Sequence, residues 1–221
     1  MASVIILGAT GLVGQQLLKQ ALDNERISQV IAPTRRPLTS HPKLINPIVD
    51  YRHLPAEADW WKADAVLCAL GSTMRQAGSE AAFYHVDHDY VLDAAKLAQA
   101  AGAACFVLNS STGAKLGASA FYLRVKAETE RDLAALNFAS LSIIRPSLLD
   151  GGARPEKRPG EAVGILIAKL FAPLLPKRLR PVSPEKVAAA MLDAGLNALP
   201  GAKIIESEQL QTPLSRAGTP R

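Results

Sequence analysis

Cysteine is scarce in this chain: Cys68 and Cys105 are the only two in 221 residues, and each lies inside an apolar run. That excludes a disulfide-built scaffold and predicts buried free thiols in a reducing compartment. The four histidines, His41, His53, His85 and His88, show no zinc spacing. His85 and His88 stand three apart beside Asp87 and Asp89 but lack a third ligand set, so a hydrated helix surface is the reading and no metal is expected. No apolar stretch is long and unbroken enough to span a bilayer, and no internal repeat is visible. No basic leader or small-residue cleavage site precedes the strand-like run Val4 to Leu7, so a cytoplasmic location is expected.

What is present is the composition of a folded domain. The chain is 48% apolar and 20% charged, which excludes a disordered or collagen-like polypeptide and suffices for one substantial core. The formal net charge of +5 raises nucleic acid as a partner, so its location matters. Residues 145–186 hold nine Lys and Arg against four acids, and elsewhere the two signs balance. Its one aromatic, Phe171, makes this segment a solvated basic rim or a face toward an anionic ligand, and no nucleic-acid partner is expected.

Short β-rich runs alternate with helical segments. Candidate strands are Ser3–Leu7, Gln29–Ala32, Leu44–Val49, Ala65–Leu70, Ala104–Leu108, Leu141–Ile144 and Ala202–Ile205. Several are almost continuously apolar, as expected of strands covered on both faces. Val13, Leu17, Leu18, Ala21 and Leu22 share one helical face, and Val86, Tyr90, Ala94, Leu97 and Ala101 share another. The alternation predicts an α/β fold, a doubly wound parallel sheet of the Rossmann kind whose ligands bind beyond the carboxyl ends of the strands. Residues 1–150 read as the dinucleotide-binding core. Residues 151–200 read as a small substrate-side lobe, with a turn-rich loop, an apolar helix near Glu161–Phe171 and a last helix behind Ser183-Pro184. Residues 201–210 form a returning strand and 211–221 a loose tail.

The first strand runs into Gly8-Ala9-Thr10-Gly11-Leu12-Val13-Gly14 and then a helix. Gly8 permits the tight turn, Gly11 lets the backbone approach a pyrophosphate, and Gly14 allows close helix–strand packing. Free N–H groups and the helix dipole then face the phosphates. No acid occurs between Glu25 and Asp50, where an NAD site usually places one on the ribose hydroxyls. The second strand is instead followed by Arg35 and Arg36, whose guanidiniums suit a 2′-phosphate, so NADP is the expected cofactor. Asp50 is either a partner for the adenine amino group or a surface acid.

Strand five ends in Asn109-Ser110-Ser111, and Tyr122 and Lys126 follow, four apart on one helix face and about 6 Å apart along its axis. An ordinary tyrosine ionises near pH 10. An ammonium beside it favours the phenolate and makes a usable general acid, with a serine bonding the carbonyl oxygen that gains charge. Out of context Tyr-x-x-x-Lys is common; it gains meaning from the glycine loop before it.

These segments together resemble the short-chain dehydrogenase/reductases of the atypical, NAD(P)H-binding branch, and within it the Tat-interacting-protein-type oxidoreductases. The likeness rests on Gly8–Gly14, Cys68-Ala-Leu-Gly-Ser-Thr73, Val86-Asp-His-Asp-Tyr-Val-Leu92, Asn109–Gly113, Phe121–Glu128 and Ile144-Arg-Pro-Ser-Leu-Leu149, and spans about residues 3 to 200. The resemblance implies that Leu70, Gly71, Ser72 and Thr73 line the cofactor and that Pro146 to Leu149, Leu148 included, lies beside the nicotinamide. It implies a triad of Ser111, Tyr122 and Lys126, with Ser111 preferred to Ser110 by spacing and Lys126 also bonding the nicotinamide ribose. In such enzymes an asparagine on the helix after strand four completes a proton relay; here that neighbourhood reads His85-Val86-Asp87.

The expected function is NADP(H)-dependent reduction of a small carbonyl compound, or the reverse oxidation, with Tyr122 as proton donor. The alternative is an NADP(H)-binding redox sensor without turnover. The basic, apolar stretch 162–180 suits a helix roofing the substrate cleft, a subunit contact or a peripheral membrane-surface helix. A monomer and a homodimer both remain open.

Overall fold

The computed structural model of the protein describes residues 1–150, 176, 178 and 180–211. Seven strands, β1 (Ala2–Leu7), β2 (Ile27–Ile31), β3 (Leu44–Ile45), β4 (Ala65–Cys68), β5 (Cys105–Asn109), β6 (Ser140–Arg145) and β7 (Gly201–Glu206), form one sheet. Its order is β3-β2-β1-β4-β5-β6-β7 and every pairing is parallel. The helices are α1 (Leu12–Asp23), the short α2 (Met74–Ala77), α3 (Glu80–Tyr84), α4 (Tyr90–Ala100), α5 (Phe121–Ala135) and α6 (Pro184–Leu196). A π-helical turn, His85–Asp89, joins α3 to α4.

The unbroken apolar strands follow from a sheet covered twice. Successive side chains point to opposite faces. Val4, Ile6, Val30, Leu67 and Val107 therefore meet Val13 and Leu17 of α1 and Val187 and Met191 of α6. Their neighbours Ile5, Leu7, Ile31, Val66 and Phe106 meet Trp61, Val91, Ala95 and Leu133 on the other side. Each fully buried Leu or Ile contributes about 1.5–3 kcal/mol. Both cysteines are buried free thiols. Burial pushes the Cys68 thiol up to about 12.

Two expectations shift. The third strand is two residues long, because the Asn46 amide turns inward to donate to Ala32 O and Thr34 Oγ1 and Pro47 has no N–H to give. Parallel pairing resumes as a single bridge, Thr34 to Ile48. The buried stripe before and along α4 is Asp87, Val91, Ala94, Ala95 and Ala98, one residue round from the stripe read off the sequence. Trp61 is wholly buried, with Nε1 donating to Pro55 O.

The last helix begins as the sequence indicates: Ser183 is the N-cap, its Oγ accepts from Lys186 N, and proline follows. It lies in the span assigned to the substrate-side lobe and packs on the same core as α1. The turn-rich loop, the helix near Glu161–Phe171 and the tail from residue 212 lie outside the described residues. Among those described, no helix is long and apolar enough to cross a membrane.

Candidate active site

The strand order reverses between β1 and β4, and the chain leaving β1 there forms the glycine loop. Gly8 has φ +80°, and a Cβ on it would sit 2.6 Å from Leu70 N. Gly14 is tighter still: its Cβ would stand 2.0 Å from Gly8 O, so α1 rests directly on the turn. Gly11 differs. Its Cβ would meet nothing nearer than Gly8 O at 3.4 Å, and the residue is exposed. Gly11 is also the N-cap of α1, without a side-chain cap or an acid in the first turn. Two closed glycines thus hold an open, uncapped helix start, which fits a pyrophosphate. Thr10 is exposed, whereas Val13 is buried and Leu12 partly so, leaving backbone as their means of meeting a ligand.

Arg35 and Arg36 follow β2 on the surface, and neither forms an ion pair with a described residue. The turn that carries them is held from within. Thr34 Oγ1 donates to Arg36 O at 2.6 Å, and Asn46 Oδ1 accepts from Leu38 N at 2.8 Å. Buried Tyr51 donates its hydroxyl to Pro33 O at 2.9 Å and also meets the Gly8 backbone, so one side chain braces both the arginine turn and the glycine loop. Sequence reasoning passed over Asn46 and Tyr51; their signal was a polar residue inside the run Leu44–Val49 and an aromatic residue two positions beyond it. Asp50 lies apart, largely exposed, accepting from Arg52 N at 3.0 Å with His53 3.8 Å away.

The loop after β4 meets the Tyr–Lys helix through a residue the spacing rules did not select. Asp87 is 1% exposed, on the π turn. Its Oδ1 lies 2.8 Å from Lys126 Nζ, and its Oδ2 accepts from Ser72 N at 2.7 Å. A Cβ on Gly71 would stand 3.0 Å from the same carboxylate and 3.5 Å from the ammonium, so glycine leaves room for the pair. Thr129 Oγ1 donates to Asp87 O at 3.0 Å. Thr73 spends its hydroxyl oxygen capping α2, and Leu70 packs partly into the core. Burial drives Lys126 toward its neutral form, but Asp87, reinforced by Tyr122, outweighs burial, and the lysine pKa is raised. Lys126 Nζ is 5.9 Å from the centre of the Tyr122 ring, and buried Phe83 backs that ring at 5.6 Å.

The two serines separate. Ser110 is 4% exposed and donates to Glu130 of α5, a carboxylate that Arg145 also grips. Ser111 is half-buried, and its hydroxyl makes only a 3.4 Å contact with Thr112 O. Thr112 ties this loop to the end of β6, donating from N to Pro146 O at 2.9 Å and from Oγ1 to Arg145 O at 2.8 Å. Pro146 is buried beside it; Leu148, two residues on, is exposed.

On the outer side of the π turn, His88 spans two carboxylates, Nδ1 to Asp89 at 2.8 Å and Nε2 to Asp132 at 2.9 Å. These residues line a cavity of about 500 Å³ between α4 and α5. Among the described residues, no group of His, Cys, Asp and Glu is arranged to hold a metal ion.

Known proteins bear on the family and the fold of this chain. The model of the NAD dependent epimerase/dehydratase family matches residues 4–137. Protein HTATIP2 of Rattus norvegicus is 42% identical over 164 residues, covering 72% of this chain and 67% of its own. The mitochondrial protein fmp52 of Emericella nidulans is 32% identical over 229 residues, covering 95% and 94%. Among solved structures, MoeE5 in complex with UDP-glucuronic acid and NAD superposes with a TM-score of 0.70 at 19% identity, covering 92% of this chain and 75% of that one. WbmH of Bordetella bronchiseptica, in complex with NAD+, gives 0.66 at 16% identity, covering 94% and 76%. The fmp52 relatives also correct one expectation: proteins matched over nearly their whole length are named mitochondrial, which overturns the cytoplasmic location drawn from the lack of a leader.

Proposed function

The chain belongs to the NAD dependent epimerase/dehydratase family, and from that premise we propose that it is an NADP(H)-dependent oxidoreductase acting on a small carbonyl compound or the corresponding alcohol. The observation that carries the reading is the junction of Tyr122, Lys126 and the loop after β4, set beside an open glycine cradle. Backbone amides of Leu12 and Val13 hold the pyrophosphate, which Gly11 lets approach, while the Gly11 N–H closes the turn onto Gly8 O at 3.0 Å, and Arg35 and Arg36 hold the 2′-phosphate. In this reading the exposed Asp50 is the partner of the adenine amino group. Gly8 and Gly14 shape the cradle, with Thr10 at its rim. Leu70 to Thr73, Pro146 and Leu148 line the remainder.

When bound, the coenzyme supplies the hydride. The chain's own residues supply the rest. Ser111 donates a hydrogen bond to the carbonyl oxygen, and Tyr122 gives that oxygen its proton as negative charge develops. Lys126 presents its ammonium to the ribose and to the phenol. Support for Ser111 over Ser110 is that the Ser110 hydroxyl is committed to Glu130.

NADP is preferred to NAD on two grounds: the run from Arg26 to Val49 holds no acid, and the paired arginines form no ion pair with a described residue. The test follows NADPH absorbance across a panel of aldehydes, ketones and quinones. Turnover that Tyr122→Phe abolishes, while calorimetry shows coenzyme binding intact, is the expected result. Equal turnover in the variant, or no heat with either coenzyme, overturns the reading. Binding without turnover in the wild type makes the protein a redox sensor instead.

A further inference from the structure

Two ion pairs are buried near the site, and they do different work. Glu130 and Arg145 lock strand ends together. Asp87 and Lys126 join the loop after β4 to the helix of the proposed general acid. A buried ion pair is a poor source of stability, because desolvating two charges offsets most of their attraction. A π turn in place of regular helix is likewise frequent at functional positions. Here that turn carries Asp87 on the buried stripe, beneath a glycine that leaves it just enough room.

We propose that Asp87 is a positioning residue for the reaction: its carboxylate clamps the Lys126 ammonium to the amide of Ser72 and fixes both the place and the charge of that ammonium beside Tyr122. The inference rests on the role given to Lys126 above. The ionisable groups facing Lys126 are Asp87 from the π turn, Tyr122 from its own helix and Cys68 from β4. Cys68 is a neutral thiol at working pH, since burial pushes it up to about 12. Without Asp87 no anion would oppose the burial of the lysine, and the ammonium would give up its proton more readily. The second oxygen of Asp87 makes the same carboxylate a brace for the loop, so lysine and loop keep one fixed spacing.

The experiment reads Lys126 directly, in coenzyme-free protein with isotope-labelled lysine. Its side-chain carbon signal is assigned by its loss in Lys126→Arg and followed by NMR against pH. The expected wild-type signal stays in the ammonium form beyond the ordinary lysine value of about 10.4. In Asp87→Asn, which keeps an acceptor for Ser72 N–H, the titration moves down by at least about one pH unit; Asp87→Glu restores it. Identical titrations in wild type and Asp87→Asn overturn the proposal. So does a wild-type Lys126 that titrates well below the ordinary value, a result that decides the matter even if the asparagine variant fails to fold. NADPH binding gives a second reading. Asp87→Asn is expected to weaken it more at pH 9.5 than at pH 6.5, and an equal loss at both overturns the charge-setting role. A wild type that binds no nicotinamide coenzyme defeats the proposed function, while the lysine titration still judges Asp87.

Discussion

Arg145 grips Glu130 through two parallel hydrogen bonds, Nε to Oε1 at 3.0 Å and Nη2 to Oε2 at 2.6 Å. The ends of β5, β6, β7 and the flank of α5 converge there, since Ser110 also donates to Glu130 and Arg145 Nη1 donates to Glu206 at 3.1 Å. Removing the guanidinium strands a carboxylate whose side chain is 7% exposed. Arg145→Ala is expected to cost about 3–5 kcal/mol. Arg145→Lys recovers only part of that, because an ammonium cannot reproduce the fork. Urea unfolding measures both, and a cost below about 1 kcal/mol for the alanine would refute the account.

The glycine loop separates packing from binding. Gly14→Ala places a Cβ 2.0 Å from Gly8 O, so α1 must back away from β1. A loss of about 2 kcal/mol or more is expected in thermal or urea unfolding. Gly11→Ala meets no such obstacle and leaves stability within about 1 kcal/mol. Calorimetry should nonetheless show NADPH affinity reduced about tenfold or more, as the methyl occupies the approach to the helix start. Unchanged affinity in Gly11→Ala would remove the pyrophosphate from that place.

Arg35 and Arg36 are exposed and free of described ion pairs, so their replacement should leave the fold alone. The double variant Arg35→Ser, Arg36→Ser is expected to weaken NADPH about 10- to 100-fold, with NADH affinity almost unchanged. Raising salt should narrow the wild-type preference, because exposed charges are screened. Equal losses for both coenzymes would mean the arginines do not read the 2′-phosphate.

Asp132 gives a prediction in pH. The hydrogen bonds from Arg131, followed by His88, hold its pKa down to about 2, against about 3.9 for an unfolded aspartate. A carboxylate whose folded value is depressed stabilises the protein above its unfolded value and ceases to do so as pH falls through its folded one. The contribution is therefore complete above about pH 4 and disappears by about pH 2. Because the group is about a third solvated, it amounts to about 1 kcal/mol or less. Thermal melts from pH 2 to 6 should fall less steeply between 4 and 2 in Asp132→Asn than in the wild type. Parallel curves would contradict this.

Much of the architecture was legible because two-sided burial leaves a plain mark. Val4 to Leu7 and Ala65 to Cys68 are apolar at every position, and both lie at the centre of the sheet. The Ser183-Pro184 cap and the glycine loop were readable because local chemistry determines each. Asp87 was not, because periodicity searches follow apolar side chains and the buried stripe of its helix begins with a charge. Val86, which led the expected stripe, is only partly buried. The third strand was overextended for a related reason: Leu44, Ile45, Ile48 and Val49 look like one run, but the Asn46 side chain takes over the bonding that a strand would have made. Tyr51 and Glu130 bond to atoms 18 and 20 residues away, distances at which no spacing rule operates.

The π turn is closed by Tyr90 N–H donating to His85 O, five residues back, where a regular helix would reach back four. It therefore amounts to one surplus residue held inside a helix. Deleting a single codon on the far side of Asp87, between it and Tyr90, would restore an ordinary helix with nearly the same composition. It would also swing Asp87 about 100° around the axis, away from the lysine it serves. For anyone aligning or redesigning this protein, the length of the segment between Tyr84 and Tyr90 matters as much as the letters in it.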